Sequence, residues 1–158
     1  SSALKIYGLT VGFRGENKDL PRSDTDIYVA DTLGELGLFY HLCPLACIGR
    51  SFSSDGGGGH NPLEASQLGA AVIHGPAVQN QKEIFGPMDS IGAALCVSKP
   101  EDLPTTISRL LSNKEALNQL AEKGYTFARG QDQVLTKVIE ELEPLFLLAD
   151  LPVLKATP

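Results

Sequence analysis

The sequence has no cluster of basic residues, only three cysteines and no long apolar run. With a net charge of −6 and no basic stripe, it lacks what binding to the phosphate backbone of nucleic acid requires, so we expect no nucleic-acid partner. Its apolar runs are far shorter than the roughly 20 residues of a transmembrane helix. The start, SSALKIYGLT, has no basic segment followed by an apolar one, so we also expect no signal peptide.

The cysteines at positions 43, 47 and 96 form neither a CxxC pair nor a metal-binding pattern with histidine. Their number is odd, so they cannot all pair in disulfides. Because each lies in apolar surroundings, we predict that Cys43, Cys47 and Cys96 are buried free thiols of a cytoplasmic protein.

Short apolar runs alternate with helical patterns along the 158 residues, 42% of which are apolar. We predict strands at residues 9–13, 26–30, 45–49, 71–74 and 93–97. Helices are predicted at residues 33–42, 62–68, 81–90, 101–111, 114–128 and 132–148. This alternation predicts an α/β fold, a Rossmann-like parallel sheet flanked by helices.

The first strand and helix of such a sheet are missing from the pattern, and two helices follow one another at the end. This arrangement is typical of one half of a two-domain protein. We therefore predict a domain at residues 1–148, followed by an irregular tail at residues 149–158 that contains two prolines.

The most informative segment follows the third predicted strand and contains four consecutive glycines at residues 56–59. Asn61 is a good N-cap, and Pro62 fits the first position of a helix. A helix that begins directly after glycines offers free N–H groups to an anion, at the strand ends where ligands bind in α/β sheets. Alternatively, the glycines form a flexible connector and Asn61 makes a capping box with Glu64. The segment matches neither the Walker motif nor GxGxxG.

Two more loops follow predicted strands. The first begins DTLGEL, where Thr32 and Glu35 have the spacing of a capping box; Gly34 falls inside the predicted helix, as close approach of a ligand would explain. The second begins at His74, which we interpret as a hydrogen-bonded histidine at the edge of the core, whereas His60 beside the glycines is better placed for a ligand. Three such loops at three strand ends predict a nucleotide pocket.

The segments DTLGELGLFY, LACIGRS, GGHNPLEA and AAVIHGP, with Asn80 after them, closely resemble the C-terminal domain of bacterial Kdo transferases. These enzymes move 3-deoxy-D-manno-octulosonic acid (Kdo) from CMP-Kdo to a lipid A precursor. The likeness is strong over residues 14–80. It implies the C-terminal half of a GT-B glycosyltransferase, an inverting transfer without metal or cofactor, and binding of the donor mainly by this domain.

The resemblance also assigns roles to residues. Thr32, Leu33, Gly34 and Glu35 would border the CMP, and Glu64 would accept hydrogen bonds from the ribose hydroxyls. The residues that would approach the phosphate and the sugar are Ser51, Gly58, Gly59, His60, Asn61 and Asn80. No catalytic residue is expected here, since the base, the acceptor site and the surface that associates with the cytoplasmic face of the inner membrane belong to an N-terminal domain.

The chain departs from the family pattern in three places. Arg50 stands where a second glycine is usual, and its charge would offer a further contact to a phosphate. The loop at residues 53–58 is longer and richer in glycine, and GPAVQN replaces GPHTFN. An upstream basic motif containing Arg-His-Pro is absent.

Two other functions remain open at this point. One is half of a GT-B sugar-nucleotide epimerase, which would also use a glycine loop and a ribose-binding glutamate. The other is a non-catalytic nucleotide-binding module. The nucleotide that stabilises the domain against heat separates them: CMP for the transferase, UDP for the epimerase and neither for the module.

Overall fold

The computed structural model describes residues 7–17, 20–56 and 58–148. Contacts within the chain define two compact units, Ser1–Phe39 and Tyr40–Pro158. The tail predicted at residues 149–158 lies outside the described residues, and the single domain at residues 1–148 stays a prediction.

The first unit contains a two-stranded parallel sheet of β1 (Val11–Phe13) and β2 (Ile27–Val29), and the short helix α1 (Arg14–Asn17) follows β1 directly. Two carboxylates fix the strand ends. Asp26 accepts a hydrogen bond from the Thr10 N–H at 2.7 Å, and Asp31 accepts one from the Gly15 N–H at 2.6 Å. Helix α2 (Leu36–Leu42) begins at the end of this unit.

The second unit contains a three-stranded parallel sheet in the order β3-β4-β5. Its remaining elements are helices, with short 3-10 turns before α4 and α5. In chain order the elements are β3 (Leu45–Cys47), α3 (Leu63–Gln67), β4 (Ala71–His74), α4 (Lys82–Ile91), β5 (Leu95–Cys96), α5 (Leu103–Ser112) and α6 (Lys114–Leu148).

Helices cover both faces of this sheet, as the apolar sequence of β4 predicts. All four residues of β4 are buried. Val72 belongs to a cluster with Phe85 and Met88 of α4, and Ile73 to a second cluster with Leu110 of α5. Because β4 is central and covered on both sides, it fixes the position of the loop that follows it.

The α/β class with parallel sheets and flanking helices is confirmed, but two details of the prediction are wrong. The described strands form two sheets, not one. The last two predicted helices are a single helix, α6, which continues through residues 129–131. A Cβ on Gly124 would lie 3.1 Å from the Ala93 carbonyl oxygen and 3.2 Å from Ser66 Oγ, so this glycine lets α6 pack closely.

The cysteines are free, as predicted, but all three are exposed rather than buried. Cys47 and Cys96 lie on β3 and β5, which flank the central strand and are less completely covered than β4. Partial burial nevertheless raises the pKa of both thiols; at Cys96 the charge of Asp89 adds to the effect. Among the described helices, none is both long and apolar enough to cross a membrane.

Candidate functional site

Ser51 joins the loop that follows β3 to the loop that follows β4. Its side chain is fully buried, and its Oγ donates a hydrogen bond to the Ile48 carbonyl at 2.6 Å. The same Oγ accepts one from the Gly75 N–H at 2.8 Å, and the Ser51 carbonyl accepts another from the Ala77 N–H at 2.8 Å. Two of the three predicted loops therefore meet at one edge of the sheet.

Gly75 is required for this junction. A Cβ at this position would lie 2.2 Å from the Ser51 carbonyl oxygen and 2.6 Å from a ring carbon of Phe52. Any side chain here would push the two loops apart. In the sequence, the Gly-Pro pair at residues 75–76 indicates a turn, but not this close contact.

The glycine loop returns to the same edge. The His60 N–H donates to the Gly49 carbonyl at 3.3 Å. Gly58 has a φ of 63°, and a Cβ added there would lie 1.9 Å from Asn80 Oδ1. Gly59 is buried, and its Cβ would lie 3.4 Å from that of Ser51. These two glycines thus let the backbone of the glycine loop come close to residues of both loops. A flexible connector, the alternative interpretation, would not require such close contacts.

Asn61 lies at the end of this loop and binds the first amide of the helix, although Pro62, rather than Asn61, immediately precedes the helix. Asn61 Oδ1 accepts a hydrogen bond from the Leu63 N–H at 2.9 Å, and helix α3 begins at Leu63, one residue later than predicted. The Asn61 and His60 side chains are exposed, whereas Pro62 is buried. Because α3 has only five residues, it lacks a long helix dipole. An anion would instead be bound by the N–H groups of the loop that precedes it.

Glu64 does not form the alternative capping box, since no hydrogen bond joins it to Asn61 in the described part of the chain. Its side chain is exposed on the first turn of α3. Burial raises the pKa of Tyr40, and the negative charge of Glu64 raises it further. Glu64 is therefore an accessible carboxylate next to the glycine loop.

The predicted donor residues of the first unit, at positions 32–35, lie before a helix rather than at its start. Helix α2 begins at Leu36, so Gly34 lies before it, with a φ of 81° that favours glycine. The Thr32 hydroxyl donates to the Glu35 carboxylate, which also pairs with Arg14 at 2.8 Å. The prediction that Thr32 and Glu35 form a capping box at the start of a helix beginning at residue 33 is therefore wrong. Leu33 is fully exposed.

Arg14 is a polar residue that the sequence reasoning missed. Its guanidinium makes hydrogen bonds with Glu35, and these bonds, with a further one to Tyr28, raise its pKa. The signal was an arginine directly after the predicted strand at residues 9–13. Arg14 neutralises Glu35 and fixes its side chain within the first unit.

His74 has the structural role that we predicted. It is 1% exposed, its Nε2 lies 2.9 Å from Asp89 Oδ1, and its ring stacks at an angle on Phe85. Its Nδ1 lies 2.7 Å from the Gly75 carbonyl oxygen. His74 thus contacts the carbonyl group of Gly75, the residue whose N–H is bound by Ser51.

The second unit brings together the predicted donor residues around the glycine loop, namely Ser51, Gly58, Gly59, His60, Asn61, Glu64 and Asn80. The four others, Thr32, Leu33, Gly34 and Glu35, belong to the first unit. In the described ranges, no group of three His, Cys, Asp or Glu residues is arranged to hold a metal ion.

The chain is similar in sequence to known proteins over most of its length. It is 32% identical over 142 residues to the 3-deoxy-D-manno-octulosonic acid transferase of Rickettsia typhi, and 31% identical over 132 residues to that of Haemophilus influenzae. These alignments cover 89% and 83% of the chain. The chain belongs to the 3-deoxy-D-manno-octulosonic acid transferase family. No protein-family model matches it.

A solved structure places the likeness within the Kdo transferases. The chain superposes with a TM-score of 0.74 and 26% identity on the C-terminal CMP-Kdo binding domain of WaaA from Acinetobacter baumannii, over 80% of this chain and 64% of that one. The chain spans about 30% of the length of the two curated relatives.

Proposed function

We propose that this chain is the part of a Kdo transferase that binds the donor, CMP-Kdo. The observation that carries the proposal is the junction at Ser51, which aligns two loops at the carboxyl edge of a parallel sheet in a chain similar to a CMP-Kdo binding domain. Ligands of α/β sheets bind at this edge.

The roles within the site are those that the family resemblance implies, and the exposure and charge of the side chains support them. The glycine loop and the exposed side chains of His60, Asn61 and Asn80 would contact the phosphate and the sugar. Glu64, which is exposed and free of a capping bond, would accept hydrogen bonds from the ribose hydroxyls. In the first unit, residues 32–35 would border the nucleotide.

The whole protein would be an inverting GT-B glycosyltransferase that transfers Kdo to a lipid A precursor at the cytoplasmic face of the bacterial inner membrane. The acceptor site, the catalytic base and the contact with the membrane would come from an N-terminal domain. No metal or cofactor would take part. This proposal rests on the family alone.

Binding of CMP by the chain tests the proposal. We expect a dissociation constant between about 100 μM and 1 mM, since one domain supplies only part of the cleft; this corresponds to a binding free energy of about −4 to −6 kcal/mol. In an NMR titration, the amides of residues 58–63 should shift first. UDP binding in preference to CMP would favour the epimerase, and binding of neither would favour a module without a nucleotide function.

The chain alone should not transfer Kdo. The reaction needs a general base and an oriented acceptor, and we assign both to a second domain. The measurement is transfer of labelled Kdo from CMP-Kdo to a lipid A precursor, with a full-length relative as the positive control. Transfer by the 158 residues alone would refute this division of roles.

Substitution of Glu64 by glutamine in the full-length enzyme tests the ribose contact. Loss of a charge-assisted hydrogen bond, worth about 1.5–3 kcal/mol, should lower kcat/KM for CMP-Kdo by roughly 10- to 100-fold. The melting temperature should stay nearly unchanged because Glu64 makes no capping bond.

The matched control is Glu83→Gln, which removes an exposed carboxylate from the first turn of α4. This variant should keep wild-type kinetics. If Glu64→Gln instead lowers the melting temperature and leaves donor kinetics intact, Glu64 is a structural residue and the ribose assignment is wrong.

A further inference from the structure

Arg50 is the only lysine or arginine between residues 23 and 81, a range that includes both loops of the candidate site. The same range contains the carboxylates of Asp55 and Glu64. Because a nucleotide sugar carries a phosphate, its site requires positive charge or N–H donors. Arg50 is therefore the one permanently cationic side chain that these loops can offer.

The backbone of Arg50 is fixed at the junction of the loops. Its neighbour Gly49 accepts the hydrogen bond of the His60 N–H, and its other neighbour is the buried Ser51. The Arg50 carbonyl accepts a hydrogen bond from the Ser53 N–H at 3.1 Å. The guanidinium thus extends from a rigid point of the candidate site.

Arg50 also has a backbone conformation that is unfavourable for its residue type. Its φ is 62°, and it is the one non-glycine residue with a positive φ in the described ranges. Such a φ brings the Cβ close to the following carbonyl oxygen, so a glycine at this position would be free of the cost. Strained residues of this kind concentrate at functional sites.

The guanidinium pairs with Asp55 at 2.8 Å, within the same loop. Both side chains are about half exposed, 50% for Arg50 and 53% for Asp55. Exposed ion pairs contribute little to stability because water screens them and both side chains lose freedom. This ion pair alone therefore does not account for an arginine in an unfavourable backbone conformation. A phosphate would compete with Asp55 for the Arg50 guanidinium.

We propose that Arg50 binds the phosphate of the donor nucleotide and exchanges its contact with Asp55 for that phosphate. The inference rests on the proposed binding of a cytidine nucleotide and adds a residue to it. Asp55 then acts as an internal competitor that holds the guanidinium beside the site and lowers its affinity for anions.

The test is a calorimetric titration of the chain and its variants with CMP and with cytidine, which lacks the phosphate. Arg50→Gln should weaken CMP binding by about 5- to 20-fold, as expected for loss of a charge-assisted hydrogen bond. Cytidine binding, observed at higher concentration, should not change. Glutamine has the same backbone cost at a positive φ, so the comparison isolates the guanidinium.

Asp55→Asn gives the opposite expectation. Removal of the competing carboxylate should tighten CMP binding by about 2- to 5-fold, whereas a loop that needs the ion pair for its shape would bind CMP more weakly. Arg22→Gln is the control for net charge, because Arg22 forms a similar exposed pair with Asp24 at 3.1 Å. This control should leave CMP binding unchanged.

The outcomes separate the two proposals. If the wild-type chain binds CMP but Arg50→Gln binds it equally well, or loses cytidine affinity to the same extent, the role of Arg50 is refuted and the proposed function stands. Weaker CMP binding by Asp55→Asn also refutes the exchange. If the wild-type chain does not bind CMP, both proposals fail.

Discussion

The hydroxyl of Ser51 should be essential to the stability of the second unit. Ser51→Ala removes two hydrogen bonds and leaves the Gly75 N–H buried without a partner. An unsatisfied buried group costs about 1–3 kcal/mol, so we expect a loss of about 2–3 kcal/mol in the free energy of unfolding. For a chain of this size, that lowers the melting temperature by roughly 5–10 °C.

Ser66 provides a control of the same chemistry and the same burial. It is also 0% exposed, but its Oγ has no hydrogen-bond partner in the part of the chain that the structure describes. Ser66→Ala removes an unsatisfied hydroxyl and should therefore be neutral or stabilise the protein by up to about 1 kcal/mol.

The assay is urea unfolding of both variants, followed by circular dichroism. If the variants and the wild type have the same dependence of unfolding free energy on urea concentration, differences in the unfolding midpoint report differences in stability. Equal destabilisation by the two substitutions would show that burial of the side chain matters and the hydrogen bonds do not. In that case the junction of the two loops could not be attributed to the hydroxyl.

Two further predictions concern close packing and pH. Gly124→Ala should destabilise the protein by about 1–3 kcal/mol because the added Cβ would meet Ala93 and Ser66. Gly130→Ala, whose Cβ would have no atom within 4 Å, should instead stabilise α6 by up to about 1 kcal/mol. Thermal melts of the two variants will measure this difference. The pKa of Cys47 is raised above its ordinary value of 9.0, so its contribution to stability is present below pH 9 and is lost as the pH rises through the folded-state pKa. Cys47→Ala should therefore lose less stability than the wild type between pH 8 and pH 10, and an equal loss would contradict the prediction.

The sequence predicted best the elements that are buried on all sides. The bounds of β4 agree with the prediction at both ends, because all four of its side chains are buried and the strand has no polar face. The hydrogen bond between the Asn61 side chain and the start of α3 was also predictable, since it joins residues only two positions apart. Local chemistry was enough in both cases.

Contacts between distant segments could not be read from the sequence. The hydrogen bond between Ser51 and Gly75 spans 24 residues and leaves no trace in hydrophobic periodicity. The same limitation applies to Gly124, because its packing partners, Ala93 and Ser66, are distant in the sequence. Burial of the cysteines was overestimated because sequence patterns do not show which strand is central.

The junction at Ser51 has a consequence for how the site moves. Since one buried hydroxyl is bonded to both loops, neither can leave the sheet edge without breaking a bond to the other. Their opening is therefore one concerted event. In hydrogen–deuterium exchange, the Gly75 and Ala77 amides should exchange together, at a rate set by opening of the serine junction, although both lie outside regular secondary structure.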